Sequence, residues 1–316
     1  MGLDEVRARN RRRIAVVLVV SVANLWLVAT MGVWFVGGGL AARGGPSVGL
    51  GLGVSAAIGL VLSVVLVGWK VRHVEEATVR RVGATDLRPG EVPVVDNLLE
   101  GLALAVGVPR VRAALLADDA PNALAVGRRP ADTTIVVTTG LIEKLRRDEL
   151  EAVLAAEMWA VRRFDTAARS VITACTSSAI AAHLSFREDP WNFRGWLGLV
   201  ATWPTMVFAE LLQRSAVRAT DHGADALAVA TTRHPDALRR ALARLRDDPT
   251  AVDALDADTA LLWFEPVPHA RRQAPELRAL ALAPSLDERL ALLPDVGPDA
   301  TDVAPGDARP RRTPRR

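Results

Sequence analysis

Uncharged, mostly apolar residues run without a break from Ile14 to Val36 and again from Pro46 to Trp69. Each run exceeds the roughly 20 residues that an α-helix needs to cross a bilayer. A cleavable signal peptide does not account for the first run: its apolar stretch is too long, a second follows closely, and no small-residue cleavage site stands out. Two transmembrane helices are predicted. Arg7, Arg9, Arg11, Arg12 and Arg13 precede the first run, and Lys70, Arg72, Arg80 and Arg81 follow the second, whereas the intervening loop holds only Arg43. Positive flanks stay in the cytoplasm, so the N-terminus and everything after Lys70 are expected there.

A weaker apolar pair follows. Ser170 to Leu184 consists mostly of small residues, and Trp196 to Ala209 contains Pro204; Arg187-Glu188-Asp189-Pro190 separate them. Length alone leaves a second membrane hairpin, a re-entrant pair and two buried helices open.

Between these regions the pattern changes period. Pro93 to Ala105 carries apolar residues at helical spacing. Val111 to Leu116, Ala123 to Val126 and Thr133 to Thr139 are short β-prone runs separated by turn-forming groups. They predict a small antiparallel sheet. After Gly140 the pattern is helical, with Asp148 and Glu151 forming an expected capping box. On that helix Leu150, Val153, Leu154, Glu157 and Val161 share one face. A carboxylate on an apolar stripe is the anomaly of this stretch, because desolvation raises its pKa unless a cation or donor lies near. Asp236 to Leu245 is an amphipathic helix with its arginines outward, read as a solvated face. The chain after Pro294 is Pro-, Asp- and Arg-rich without periodicity and is expected to be disordered.

Composition narrows the function classes. The net charge of +3 comes from arginines clustered at both ends, with no basic stripe interleaved with aromatics, so nucleic-acid binding is not expected. Cys175 is the single cysteine, which excludes an intramolecular disulfide and a Cys-x-x-Cys metal site.

Several ordered motifs carry a family resemblance. Pro121-Asn122-Ala123-Leu124-Ala125-Val126-Gly127, Val136-Val137-Thr138-Thr139-Gly140-Leu141 and Arg147-Asp148-Glu149-Leu150-Glu151-Ala152-Val153-Leu154-Ala155 resemble the HtpX-type, gluzincin-like family of membrane zinc metallopeptidases. Ala224-Asp225 and Ser285-Leu286-Asp287-Glu288-Arg289-Leu290 are similar to two later signatures of that family. The resemblance implies a mainly α membrane protein: an N-terminal transmembrane helix pair plus a cytoplasmic metallopeptidase-like α+β domain. The expected organisation is a basic N-terminus (1–13), the anchor (14–69), the metallopeptidase-like domain (70–293, with the apolar pair at 170–212) and the tail (294–316).

Where the family carries His-Glu-x-x-His, this chain reads Ala156-Glu157-Met158-Trp159-Ala160. The family's chemistry needs two imidazoles at i and i+4, a glutamate from a later helix, and water on the fourth position of a zinc ion. Carried over, the ligand positions are Ala156, Ala160 and Asp221, and the general-base position is Glu157. His222 stands beside Asp221 where the family usually has tyrosine, and Ala283 where its last signature starts with histidine. Asp165 and Asp225 are remnants of the supporting residues. Two of three ligands are absent, so no zinc and no cofactor are expected, and the chain reads as a pseudopeptidase.

Such a protein fits a non-catalytic binding module. It would hold unfolded or membrane-protein peptides along an edge strand at Thr133 to Thr138, or regulate an active paralogue. Asn122, Thr133, Val136 and Thr138 are the candidate peptide-binding residues. The competing readings are an active zinc metalloendopeptidase of membrane protein quality control and a membrane scaffold with an unused cleft. The expected location is a bacterial plasma membrane, multi-pass.

Overall fold

The computed structural model describes residues 2–41, 48–187, 205–214, 223–256, 258–265 and 285–293. Helices α1 (Leu3–Ala41) and α2 (Val48–Arg72) cover the two apolar runs, and both are long and apolar enough to cross a membrane. The 39 residues of α1 rise about 58 Å, nearly twice a hydrocarbon core of about 30 Å. The arginine-bearing stretch before Ile14 accounts for about 16 Å of the surplus. Along both helices apolar side chains face outward without cover, with Val19 68 % and Val65 63 % exposed. That surface suits lipid and would be an aggregation hazard in water. The two helices approach closely at Gly59, where an added Cβ would lie 2.7 Å from Thr30 Oγ1 and 3.0 Å from its backbone nitrogen. Small residues at such crossings supply the packing that holds helices together in lipid.

The remaining described elements are α3 (Val74–Val82), β1 (Thr85–Asp86), α4 (Pro93–Val106), β2 (Arg112–Leu116), β3 (Ala123–Gly127), β4 (Thr133–Thr138), α5 (Thr139–Lys144), α6 (Arg147–Arg162), α7 (Asp165–Arg187), α8 (205–214), α9 (Gly223–Thr232), α10 (Pro235–Asp247) and α11 (Leu286–Leu292). α7 is a continuous helix packed on α1 and α2. Residues 188–204, between α7 and α8, lie outside the described residues, as does the tail after 293.

The sheet is mixed rather than antiparallel. Its order is β1-β2-β4-β3, with β4 parallel to β2 and antiparallel to β3. The β3–β4 hairpin folds back so that β4 enters between β2 and β3. Thr133–Thr138 is therefore an interior strand, not an edge. Helices cover both faces, so every residue of β3 and β4 is buried, the threonines of β4 included. Ala123, Ala125, Ile135 and Val137 pack with α4, α6 and α10. Leu124, Val126 and Val136 face the other way, onto Val74, Val82, Ile172 and Trp263. The turn into α5 requires glycine: a Cβ on Gly140 would sit 2.0 Å from Asp119 O, while its N–H donates to Asp118 O at 2.8 Å.

α6 starts two residues before its expected box. Arg146 is the cap residue, and its N–H donates to Glu149 Oε2 at 2.9 Å. Glu149 is fully buried and also pairs with Arg240 (3.2 Å) and Arg244 (3.1 Å) of α10. Those outward arginines thus grip α6 instead of only facing water.

The anchor continues into the domain. Arg7 Nε donates to Arg162 O at 3.0 Å, and Asn10 Nδ2 donates to Arg163 O at 2.9 Å and Asp165 Oδ1 at 2.6 Å. The α6–α7 turn that receives them holds Phe164 at φ 65, a conformation that bulky residues adopt only when their surroundings fix it.

At the outer edge of β3, Asn122 ties down the segment that follows Trp263. Its Nδ2 donates to Glu265 O (3.1 Å), and its Oδ1 accepts from Ala123 N (2.9 Å) and Glu265 N (3.1 Å). Replacing Asn122 by Ala leaves these buried backbone groups unpaired, an expected loss of about 1–3 kcal/mol. Denaturant titration in detergent checks this. A change below about 0.5 kcal/mol, the size of an ordinary surface substitution, would show that the segment is held by other means.

Candidate functional site

α6 places Ala156 and Ala160 one helical turn apart on a common face, 3 % and 5 % exposed, with Glu157 buried beside them. α9 packs across α6, fixed by Trp159 Nε1 donating to Thr231 Oγ1 at 2.8 Å. From α9 comes Asp225. Arg289 of α11 clamps it in a bidentate pair, Nε to Oδ2 at 2.9 Å and Nη2 to Oδ1 at 2.8 Å. The same guanidinium lies 4.1 Å from the centroid of the Phe264 ring and donates to Phe264 O at 3.2 Å. Phe264 N in turn donates to Ala123 O at 2.7 Å. One arginine thus ties α9, α11 and the edge of β3 together.

Glu157 faces a second guanidinium. Arg169, one of the first residues of α7, brings Nη2 to 3.6 Å from Glu157 Oε2. That distance is ionic contact without a hydrogen bond, and Glu157 Oε2 and Arg169 Nε are both buried atoms lacking a hydrogen-bond partner. Burial pushes the Glu157 carboxyl above its usual range, against the pull of Arg169 and Arg289 and with a further push from Asp225 and Asp165. For Arg289, burial works against the charge, but Asp225 and Glu157 outweigh it and hold the guanidinium above its ordinary value.

The other sites named from the sequence are distributed differently. Asp165 starts α7, pairs with Arg163 at 3.0 Å and accepts from Asn10. Asp221 and His222 lie outside the described residues, so the third ligand position has no geometry here. Asn122, Thr133, Val136 and Thr138 do not line a cleft: all are buried, and the three with polar side chains spend them within the fold. Thr138 Oγ1 accepts from Asn122 N and Leu141 N, and Thr133 Oγ1 donates to Arg129 O. β3 carries the edge in place of β4, and part of it is taken, by Phe264 at one end and by Ser170 Oγ, which accepts from Gly127 N at 3.0 Å, at the other. Sequence reading missed Arg169 and the Arg289–Asp225 pair. The available signal for Arg169 was that it is the one formal charge between Asp165 and Arg187.

The profile of Peptidase family M48 matches residues 91–295, which include β2, β3, β4, α6, α9 and α11. The chain belongs to peptidase family M48. Among its relatives, the Protease HtpX homolog of Limosilactobacillus reuteri (strain DSM 20016) is 30% identical over 267 residues, covering 77% of this chain and 85% of the relative. The Protease HtpX homolog of Levilactobacillus brevis is 30% identical over 223 residues, covering 64% and 73%. That of Tropheryma whipplei (strain Twist) is 28% identical over 226 residues, covering 68% and 76%. No solved structure matches.

In this M48 chain the donor set does not fit the zinc ion that the resemblance implies. A methyl group has no lone pair, and methyls stand at both imidazole positions of α6. Among the described residues no group of three or more His, Cys, Asp or Glu is placed to hold a metal. What the site holds instead is an ionic cluster, two carboxylates against two guanidiniums, with Arg169 on the Glu157 side.

The raised carboxyl of Glu157 has a signed consequence. A group whose folded pKa lies above its unfolded value keeps its proton longer when folded. Its contribution to stability is therefore full at low pH and declines as pH climbs from 4.5 to the raised folded value. Glu157→Gln removes that decline while keeping the shape and an acceptor for Arg169. The variant and the parent should melt alike at pH 4, and the variant should be as stable or more stable at pH 8. A variant clearly weaker at pH 8 would show that the Glu157–Arg169 pair stabilises the fold on balance.

Proposed function

We propose that this M48 chain is a membrane-anchored pseudopeptidase, which binds unfolded or membrane-protein peptides or an active paralogue and does not cleave them. The observation that carries the reading is the pair of methyl groups at 156 and 160 on an otherwise well-formed motif helix. Glu157, the family's general base, has no metal-bound water to deprotonate in such a site, and its neighbour Arg169 offers it a cation in place of one. The outward apolar surfaces of α1 and α2 support a membrane location, and the arginine excess before α1 supports a cytoplasmic N-terminus and domain, in a bacterial plasma membrane. The four-part organisation (1–13, 14–69, 70–293, 294–316) is part of the same reading.

Metal analysis of the full chain purified without chelator tests the loss of zinc. Substoichiometric zinc and no cleavage of casein-like substrates are expected. Because Ala156 and Ala160 still share one face, Ala156→His, Ala160→His and Asp221→Glu together should restore zinc binding, with activity the weaker gain. Near-equimolar zinc in the unmodified protein, lost together with proteolysis on changing Glu157 and Asp221, would overturn the pseudopeptidase reading.

Orientation is tested with single cysteines in a Cys175→Ala background. A cysteine at Gly39 should react with an impermeant thiol reagent added outside intact cells, and one at Asp119 should not. The reverse pattern would place the domain on the opposite side.

A further inference from the structure

Where α1 leaves the domain for the membrane it borders a cavity of about 410 Å³ lined by Arg11, Ile14, Arg128, Arg129, Pro130 and Phe164. Its chemistry is divided. Three arginines supply positive charge, and Ile14, Pro130 and Phe164 supply an apolar wall. Arg11 is seated over the Phe164 ring, 4.8 Å from its centroid, which fixes the guanidinium plane while leaving its N–H groups available. Arg128 reaches Asp132 only at 3.5 Å and stays 35 % exposed. Among the described residues no carboxylate pairs with Arg11 or Arg129.

We propose that this cavity is a binding site for the phosphate headgroup of an anionic phospholipid. Position decides the class of ligand. Ile14 is the first residue of the uncharged run, one turn above Arg11, so the cavity straddles the level where α1 passes from polar to apolar surroundings. Above it the uncovered apolar side chains of α1, Val19 among them, continue along the path that acyl chains would take. Guanidinium forks match phosphate oxygens bidentately, and basic pockets at the foot of membrane helices take anionic headgroups. A free phosphate would gain nothing from the apolar wall. The hairpin loop carrying Arg128 and Arg129 is braced for this, since Thr133 Oγ1 donates to Arg129 O at 2.7 Å and the β3–β4 ladder fixes both ends. Bound lipid would bridge α1 to the β3–β4 hairpin and to the α6–α7 turn. The site requires α1 to cross the membrane, in either orientation, and is independent of whether the chain cleaves peptides.

Native mass spectrometry of the full chain, delipidated in detergent, tests this with phosphatidylglycerol and phosphatidylcholine of matched acyl chains. One phosphatidylglycerol should saturate the protein at a concentration about tenfold or more below that needed for phosphatidylcholine. Arg11→Gln/Arg128→Gln/Arg129→Gln should abolish the difference, and Arg12→Gln, an exposed arginine outside the cavity, should preserve it. Should the triple variant fail to fold, Arg128→Gln/Arg129→Gln keeps the Arg11–Phe164 contact and should still lose most of the preference. Equal binding of the two lipids, or equal loss in Arg12→Gln, would overturn the site. Full displacement of the lipid by millimolar inorganic phosphate would assign the cavity to a soluble phosphate and overturn the lipid assignment.

Discussion

The guanidinium of Arg289, its side chain only 12 % exposed, is the constraint around which the domain is arranged. A charge in such a position must be paired, because stripping one partner from a buried ion pair costs about 3–5 kcal/mol. Asp225 meets it with two hydrogen bonds and Phe264 with its ring and its carbonyl. To satisfy it, α9, α11 and the strand-like segment after Trp263 must all arrive at one place. Asn122 then locks that segment against β3, and α9 lies across α6. The motif helix keeps its orientation through these contacts, none of which involves a metal. The fold of this M48 chain therefore has its own electrostatic centre.

Parts of this were legible in the sequence for identifiable reasons. The membrane helices follow from uninterrupted apolar runs, and α6 follows from apolar spacing that makes Glu157 conspicuous. The sheet was read correctly in three of its four strands, without β1, and wrongly in its order. Thr133–Thr138 shows no polar–apolar alternation and is buried on both faces, and an interior strand and a covered edge strand give the same kind of run. Placing β4 beside β2 is a long-range decision that local periodicity does not encode. Glu157's partner was hidden for a related reason. Arg169 sits beyond a turn whose geometry depends on Phe164 at positive φ, a conformation no propensity rule assigns to phenylalanine. Asp225 and Arg289 were each noticed inside a motif, but their pairing spans 64 positions.

The site contrasts with its surroundings in how well its polar atoms are served. Glu149, on the same helix, is fully buried yet has the Arg146 amide and two arginines as partners. Glu157, two turns on, has a guanidinium at 3.6 Å, and the oxygen that faces it lacks a hydrogen bond. Unmet hydrogen-bonding capacity in a buried place is costly. Glu149 is bound into the fold by its partners, while Glu157 is not.

α1 is one helix from Leu3 to Ala41, and Arg7 and Asn10 fasten its lower end to the α6–α7 turn. An anchor of this kind has no swivel. A domain on a flexible tether samples a hemisphere of solution, whereas a domain riveted to an unbroken rod moves only as its rod slides and spins in the bilayer. Its encounters are then two-dimensional, at a fixed height and with a fixed side facing the lipid. Whatever it meets must present itself close to the membrane surface, and a partner sharing the same bilayer has a large advantage in effective concentration over one arriving from bulk solvent.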